Sequence, residues 1–345
     1  MDKNVTRKWD MTEFPAGVTP TAEHFELLET PIPDPGDGEV LVRTLYLRMD
    51  PGIRSKMVPP EESPYEDTWV GDEPVSSGAM GEVVESNDSA FSPGDIVIGR
   101  LEWADYDALP GDELEHVEVE NAPIQAKLHA LGHTGRTAYF GMTEIGRPEE
   151  DDTVVVSAAA GAVGSVAAQI ARIRGCRVVG IAGSDRKVDH LTDEFGLDAG
   201  INYKTTDDLE SDIAESCPDG VDVYYDNVGG ELADAVIANL AMHGVIVQCG
   251  RTSLINREGG EMPMGPRYEG MYIKKRARRE GFVVYDYADR YSEAEEKLEE
   301  WYLDGELTYR ETITEGLENT PEAFFGLFTG ENIGKQLVKV AEPST

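Results

Sequence analysis

The sequence predicts an α/β protein in which a small β-barrel precedes a doubly wound parallel sheet. Three observations predict it. Short alternating strands with Gly/Pro punctuation fill the first third. From about Leu131 continuous apolar strands alternate with helical stripes. A glycine-bearing turn joins the first of those apolar strands to the helix after it.

In the first third, residues 39–47 (EVLVRTLYL) alternate apolar and polar side chains after the turn-rich stretch 33–38. Residues 80–85 and 95–99 read as two more short strands, with Ser92-Pro93-Gly94-Asp95 as a turn between them. Thr153–Ser157 (TVVVS) has the unbroken apolar character of a strand buried on both faces of a parallel sheet. Over 162–174, Val163, Val166, Ala167, Ile170 and Ala171 line one helical stripe. Arg177–Ala182 is the next strand, and 188–195 a helix closed by Gly196. Ala199–Asn202, Val221–Asp226, 244–249 and 281–285 supply further strands, with a helix over 231–242. An acidic helix follows over 292–303. Thr320 reads as an N-cap with Pro321 at the first helical position, and 336–340 as a last strand. These closing pieces either extend the parallel sheet or return to the first domain.

The chain has 345 residues, with 30 Lys and Arg against 67 Asp and Glu, a net charge of −37. Such a field repels nucleic acid and anionic membrane surfaces alike. The acid is spread from end to end, and only 11 of the cations are Lys. At roughly molar salt the Debye length is about 3 Å and carboxylate repulsion is largely screened, so the composition predicts a halophilic protein, the plainer alternative being an acidic mesophilic enzyme. Cys176, Cys217 and Cys249 form no CxxC pair and have no metal-spaced His. No metal site and no disulfide framework is expected. No stretch reaches the roughly 18 apolar residues of a membrane span, and residues 1–10 lack the apolar core of a signal peptide. The expected location is the cytoplasm.

Ala159-Ala160-Gly161-Ala162-Val163-Gly164 fits a GxGxxG frame with Ala in place of the first Gly. Gly161 lets backbone approach a pyrophosphate, Gly164 lets the helix pack close to the strand, and the helix N-terminus favours negative charge. The plainer alternative is a tight strand–helix turn without ligand. About 20 residues on, where an acidic residue would hold the ribose diol of NAD, the chain reads Gly183-Ser184-Asp185-Arg186-Lys187. Two adjacent cations there would balance a 2′-phosphate, which favours NADPH over NADH. Asp185 could take the diol role instead, and Arg186 and Lys187 could be a solvated first helical turn.

These motifs belong with others in fixed order: LRMDP at 47–51, GRTAYFG at 135–141, AAAGAVGS at 158–165, GSD at 183–185 with Lys187, NYK at 202–204, YDNVGG at 225–230, EGFVV at 280–284 and GENIGK at 330–335. Together they resemble the zinc-independent medium-chain dehydrogenase/reductase superfamily. Within it they are similar to the NADPH-dependent alkenal/enone double-bond reductases, the group of leukotriene B4 12-hydroxydehydrogenase/prostaglandin reductase, plant double-bond reductases and bacterial curcumin reductase. The resemblance covers essentially the whole chain. It implies a GroES-like β-barrel substrate domain from 1–130 and 300–345, a Rossmann NADPH-binding domain over 131–299, and a homodimer. By motif, Lys187 and Tyr203, with Ser184 beside them, would hold the 2′-phosphate. Gly161, Ala162, Val163 and Gly164 would take the pyrophosphate. Asn227 would lie near ribose and nicotinamide. Cys249, Gly250, Phe282, Val283 and Val284 would offer backbone groups to the nicotinamide, and Asn332 would reach the coenzyme from the C-terminal segment. Each also has a plainer reading: Tyr203 as a packed strand end, Phe282 to Val284 as core, Cys249 as a small buried hydrophobe, and Asn227 and Asn332 as turn residues.

The resemblance implies hydride delivery from NADPH to the β-carbon of an α,β-unsaturated ketone or aldehyde, without a metal. The ligands of a zinc alcohol dehydrogenase are missing: there is no early Cys and no Gly-His-Glu triplet. The substrate would be a small enone, alkenal or quinone, quinone reduction being one alternative function and a catalytically silent NADPH-binding sensor another. Three tyrosines usual in the group are replaced, by Gly52, by Ile255 before Asn256, and by Lys274. Tyr272 or Lys274 is then the candidate acid, with solvent or a coenzyme ribose hydroxyl as alternatives. Lys274 opens the basic run Lys274-Lys275-Arg276-Ala277-Arg278-Arg279, which a solvated helix face or a dimer contact would explain. His133 is a second possible acid, or a surface-loop residue. The stretch 56–71, with Pro59, Pro60, Pro64 and Trp69, would form a flap or pocket wall.

Overall fold

A computed structural model describes residues 4–12, 21–57, 69, 74–118, 121–256 and 263–344. In chain order the strands are β1 (Val5–Met11), β2 (Phe25–Pro31), β3 (Glu39–Arg48), β4 (Ser76–Ser86), β5 (Ile96–Glu102), β6 (Tyr106–Pro110), β7 (Glu115–His116), β8 (Thr153–Ser157), β9 (Arg177–Ala182), β10 (Ala199–Asn202), β11 (Val221–Asp226), β12 (Leu240–Gln248), β13 (Arg278–Gly281), β14 (Glu311–Glu315) and β15 (Lys335–Lys339). The helices are α1 (His133–Phe140), α2 (Ala162–Ile173), α3 (Asp185–Asp193), α4 (Leu209–Ser216), α5 (Gly230–Ala238), α6 (Glu269–Lys275), α7 (Tyr291–Leu303) and α8 (Thr320–Thr329). The chain divides into two units, Met1–Leu128 with Glu311–Thr345, and His129–Arg310. The expected domain break at 299/300 lies inside α7.

In the first unit β1 and β2 form an antiparallel pair, and a second sheet runs β14-β15-β3-β4-β5-β7 with β6 also on β3. The half-buried alternation read from residues 39–47 becomes a nearly fully buried strand. The reason is that both faces of β3 are covered: Val40, Val42 and Leu47 pack in one core cluster, and Leu45 and Tyr46 in another with Met80, Leu128 and Leu337. The core is aromatic: Phe25 stacks on Trp103 at 5.7 Å between centroids, and Trp69 and Phe324 meet Trp103 at 5.8 and 6.0 Å. Trp69 is thus a core residue; the rest of the expected flap, Pro59, Pro60 and Pro64 included, lies outside the described residues. The closing elements return to this unit, because β15 buries Leu337 and Val338 beside β3. Thr320 is not the N-cap of α8. Asn319 takes that position and the Thr320 hydroxyl donates to Leu317 O at 2.7 Å.

Among its described residues the second unit has six strands, all parallel, in the order β10-β9-β8-β11-β12-β13. The order reverses between β8 and β11, which is where such sheets open a crevice at their carboxyl ends. Every residue of β8 is buried. Three boundaries differ from the sequence expectation. The helix expected from Val188 begins at Asp185, since Ser184 caps it through its hydroxyl, which accepts from Lys187 N at 3.4 Å. The helix expected over 231–242 ends at Ala238, because Leu240 already pairs with Val221 across a register shift in β11. The strand expected over 281–285 lies earlier, at β13. Val284 begins a helical turn that carries Tyr287 onto the face of Phe140 at 4.6 Å.

Candidate coenzyme site

The turn after β8 is shaped by close approach of backbone. Ala158 adopts a positive φ of 48°, and Gly161 stands at the N-cap of α2 in an extended conformation. A Cβ on Gly164 would stand 2.9 Å from Ala158 C and 3.0 Å from Ala159 Cα, and closer still to Ala158 O. No side chain there can yield, so only glycine lets α2 pack this near the turn. Ala159, in the place of the first motif glycine, is fully buried. Ala162 and Val163 begin α2, whose first amides have no intrahelical partner by construction. Together with the helix dipole they suit a phosphate.

At the carboxyl end of β9, Gly183 lies under Tyr203 and Lys204, with an added Cβ only 3.1 and 3.2 Å from their side chains. Burial, then the charges of Lys204 and Arg186, hold the Lys187 amine below its ordinary value. Three cations are gathered here in a chain of −37, an arrangement an anion would relieve. Asp185 is engaged, since Asn202 Nδ2 donates to its Oδ1 at 2.7 Å. Tyr203 is 42% exposed, with Lys204 Nζ 6.0 Å from its ring centre.

The reversal between β8 and β11 collects a third group. Asn227 N donates to Ser157 Oγ at 2.9 Å and Asn227 Nδ2 to Ser157 O at 2.8 Å. Gly250 N donates to Asp226 O at 2.9 Å, and a Cβ on Gly250 would stand 2.6 Å from Asn227 O. Cys249 is beside them, its thiol pushed up to about 12, first by burial. Asp226 is fully buried and its Oδ1 accepts from Tyr224 Oη, Val228 N and Gly229 N at 2.8–3.0 Å.

Of the other candidates, Phe282 follows Gly281, which pairs with Gln248, and so comes level with Cys249 at the carboxyl end of the sheet. Phe282 is partly buried, with its ring tip toward Gly141; Val283 is 46% exposed and Val284 buried. Asn332 belongs to the first unit and donates to Gly334 O at 2.7 Å, as a turn residue does. Gly52, also in that unit, has open space around its Cα. Tyr272 packs on the core beneath α5, 6.1 Å from the ring of Tyr268, and Lys274 is exposed near the end of α6. Ile255 and Asn256 are partly buried beyond the turn Thr252–Leu254. His133 is not a loop residue: it opens α1, with its ring 5.7 Å from that of Tyr285. The basic run is not one solvated helix face either. Helix α6 stops at Lys275, Arg276 turns left-handed at φ 55°, and Arg278 and Arg279 belong to β13. Arg279 bonds Gln248 and approaches Asp226 at 3.4 Å.

Sequence reasoning missed Lys204, Asp226, Gln248 and Arg279. Lys204 and Asp226 stand inside quoted motifs, whereas nothing local says that one arginine of a basic run points inward. Among the described residues no group of three or more His, Cys, Asp and Glu is placed to hold a metal ion. The glycine cradle and the cation cluster do fit a dinucleotide bearing an extra phosphate.

Residues 7–117 match the N-terminal domain of oxidoreductase, and residues 162–300 match a family described as zinc-binding dehydrogenase. YfmJ of Bacillus subtilis (strain 168) is 49% identical over 330 residues, covering 96% of each chain. The NADPH-dependent curcumin reductase of Escherichia coli (strain K12) is 40% identical over 345 residues, covering 98% of each. CurA from Vibrio vulnificus superposes with a TM-score of 0.89 at 36% identity over 98% of this chain and 100% of that one, and its NADPH complex with 0.87. The chain therefore belongs to the medium-chain dehydrogenase/reductase superfamily of oxidoreductases, in the group that holds curcumin reductase, prostaglandin reductase and 2-alkenal reductase.

Proposed function

We propose that this chain uses NADPH to reduce the carbon–carbon double bond of α,β-unsaturated ketones and aldehydes. The observation that carries the coenzyme assignment is the set of Lys187, Lys204 and Arg186 at the end of β9, with Asp185 already bonded to Asn202. The substrate class is supported by relatives named for curcumin and 2-alkenal reduction. When bound, the coenzyme supplies a hydride at its nicotinamide C4 for the substrate β-carbon.

The chain's own residues do the rest. The first amides of α2 bind the pyrophosphate beside Gly161, while Gly164 keeps the helix packed on the turn. Lys187, Lys204, Ser184 and Tyr203 hold the 2′-phosphate. Asn227, kept in place by Ser157, orients the ribose beside Cys249 and Gly250. The backbone of Phe282 to Val284, following β13, completes the coenzyme contacts of this unit. Tyr272 and Lys274 are the candidates for delivering the α-carbon proton.

The test is anaerobic oxidation of NADPH in molar KCl with 2-alkenals, chalcone-like enones and quinones in parallel. Turnover of the first two supports the assignment. Turnover of quinones alone, or coenzyme binding with no turnover, overturns it. We also infer a homodimer, supported by β13, which among the described residues is the last strand of its sheet and has all four residues exposed; sedimentation in the same buffer tests it. A halophilic, cytoplasmic setting rests on the charge of −37. Full activity after days in dilute buffer would defeat the halophilic part. Among the described residues no helix is long and apolar enough to cross a membrane.

A further inference from the structure

We infer that Arg279 sets the balance of affinity between the oxidised and reduced coenzyme, acting through Asp226. The inference rests on the coenzyme reading above. Asp226 ends β11 at the point where strand order reverses, is fully buried, and immediately precedes Asn227. Four of its hydrogen-bond donors, Ser157 Oγ, Tyr224 Oη and the amides of Val228 and Gly229, are neutral; Arg279 Nη2 is a charged one. Among the described residues Arg279 is the cation paired with it, Nη2 standing 3.4 Å from Asp226 Oδ2.

Arg279 reaches inward from an exposed edge strand. Its Nε donates to Gln248 Oε1 at 2.7 Å, its Nη2 bonds the same oxygen, and Gln248 Nε2 in turn donates to Gly250 O. The guanidinium therefore braces two strand ends at once, β11 through Asp226 and β12 through Gln248. Its neighbours Arg278 and Glu280 pair with each other, so the charge that Arg279 directs inward is not cancelled by them.

The electrostatic consequence is specific. The nicotinamide of the oxidised coenzyme carries a positive charge that the reduced form lacks. A buried carboxylate at this crevice favours the cation, and the adjacent guanidinium offsets that preference. Removing the guanidinium alone should tilt binding toward the oxidised form. Removing the carboxylate alone should tilt it the other way. A residue that merely props up the fold would weaken both forms together. Arg279 is thus a positioning residue with an electrostatic effect, not a catalytic one.

The experiment is calorimetric titration of wild type, Arg279→Gln and Arg279→Lys with NADPH and NADP+, at a salt concentration where circular dichroism shows each protein folded. For Arg279→Gln the ratio Kd(NADP+)/Kd(NADPH) is expected to fall about three- to tenfold, and for Arg279→Lys to stay within about twofold of wild type. An unmoved ratio in Arg279→Gln, or equal weakening of both forms, overturns the inference. Should Arg279→Gln fail to fold, Asp226→Asn decides the matter: its ratio must rise, and an unmoved or falling one overturns the inference. If wild type binds neither coenzyme, the proposed function itself fails and this inference falls with it.

Discussion

Replacing Gly164 with Ala tests the reason for the glycine-bearing turn. The added Cβ would meet Ala158 C at 2.9 Å and Ala159 Cα at 3.0 Å. Both are backbone atoms, so either α2 lifts from the turn or the turn deforms. Overpacking of this kind costs about 1–3 kcal/mol. Alanine recovers some of that, because glycine inside a helix is worse by up to about 1 kcal/mol, though less in the first turn. The net loss is about 0.5–2.5 kcal/mol, or roughly 1–10 °C in the melting temperature of a unit this size. The same displacement moves the α2 amides away from the pyrophosphate position, so coenzyme affinity should fall as well. Gly161→Ala is the internal control. Its Cβ would come no nearer than 3.1 Å to Ala158 O, at a φ of −87° that alanine adopts freely. That variant should lose less than about 1 kcal/mol, chiefly from the N-cap position. Thermal unfolding of both proteins in molar KCl, with and without NADPH, gives the answer. A Gly164→Ala protein that melts with wild type, or a Gly161→Ala protein that melts lower than it, would refute the packing explanation.

Further outcomes follow from the charges and thiols. Lys187→Ala should weaken NADPH about 10- to 100-fold, the worth of one charge-assisted phosphate contact, while NADH binding changes little; equal weakening of both would remove Lys187 from the phosphate site. Asp107 is raised to about 7, first by burial, with Glu102 beside it, Glu102 being raised as well and approached by Lys8 at 3.9 Å. Its folded-state value lies above the unfolded one, so the folded chain holds the extra proton between about pH 4 and 7, and stability is lost as pH rises through that window. Asp107→Asn should accordingly stabilise the protein by roughly 1–3 kcal/mol at pH 8 and hardly at all at pH 4; equal melting shifts at the two pH values would contradict this. Burial pushes the thiols of Cys176 and Cys217 to about 11 and that of Cys249 to about 12. A thiol reagent at pH 8 should find no fast-reacting cysteine in the native protein and three after denaturation; a fast native reaction would show a thiolate these surroundings do not permit.

The parallel sheet was legible from sequence because its signals are local. A strand such as β8 must be apolar throughout to be buried on both faces, and α2 must carry a stripe, so Thr153–Ser157, Arg177–Ala182, Ala199–Asn202 and Val221–Asp226 are readable without any partner. The glycine frame is equally local, since one backbone turn and its helix need those residues at that spacing. Where elements end was not local. Leu240 is a strand residue because β11 lies alongside it, and the run 281–285 divides because Val284 is drawn into the core while Tyr287 finds Phe140. Only the tertiary structure decided that the last strands return to β3, that Asp185 is occupied by Asn202, and that Arg279 alone of its basic run turns toward a buried carboxylate. Charge and polarity in a sequence say that a group must find a partner or solvent; which of the two it finds depends on residues tens of positions away, brought near by the burial of apolar surface.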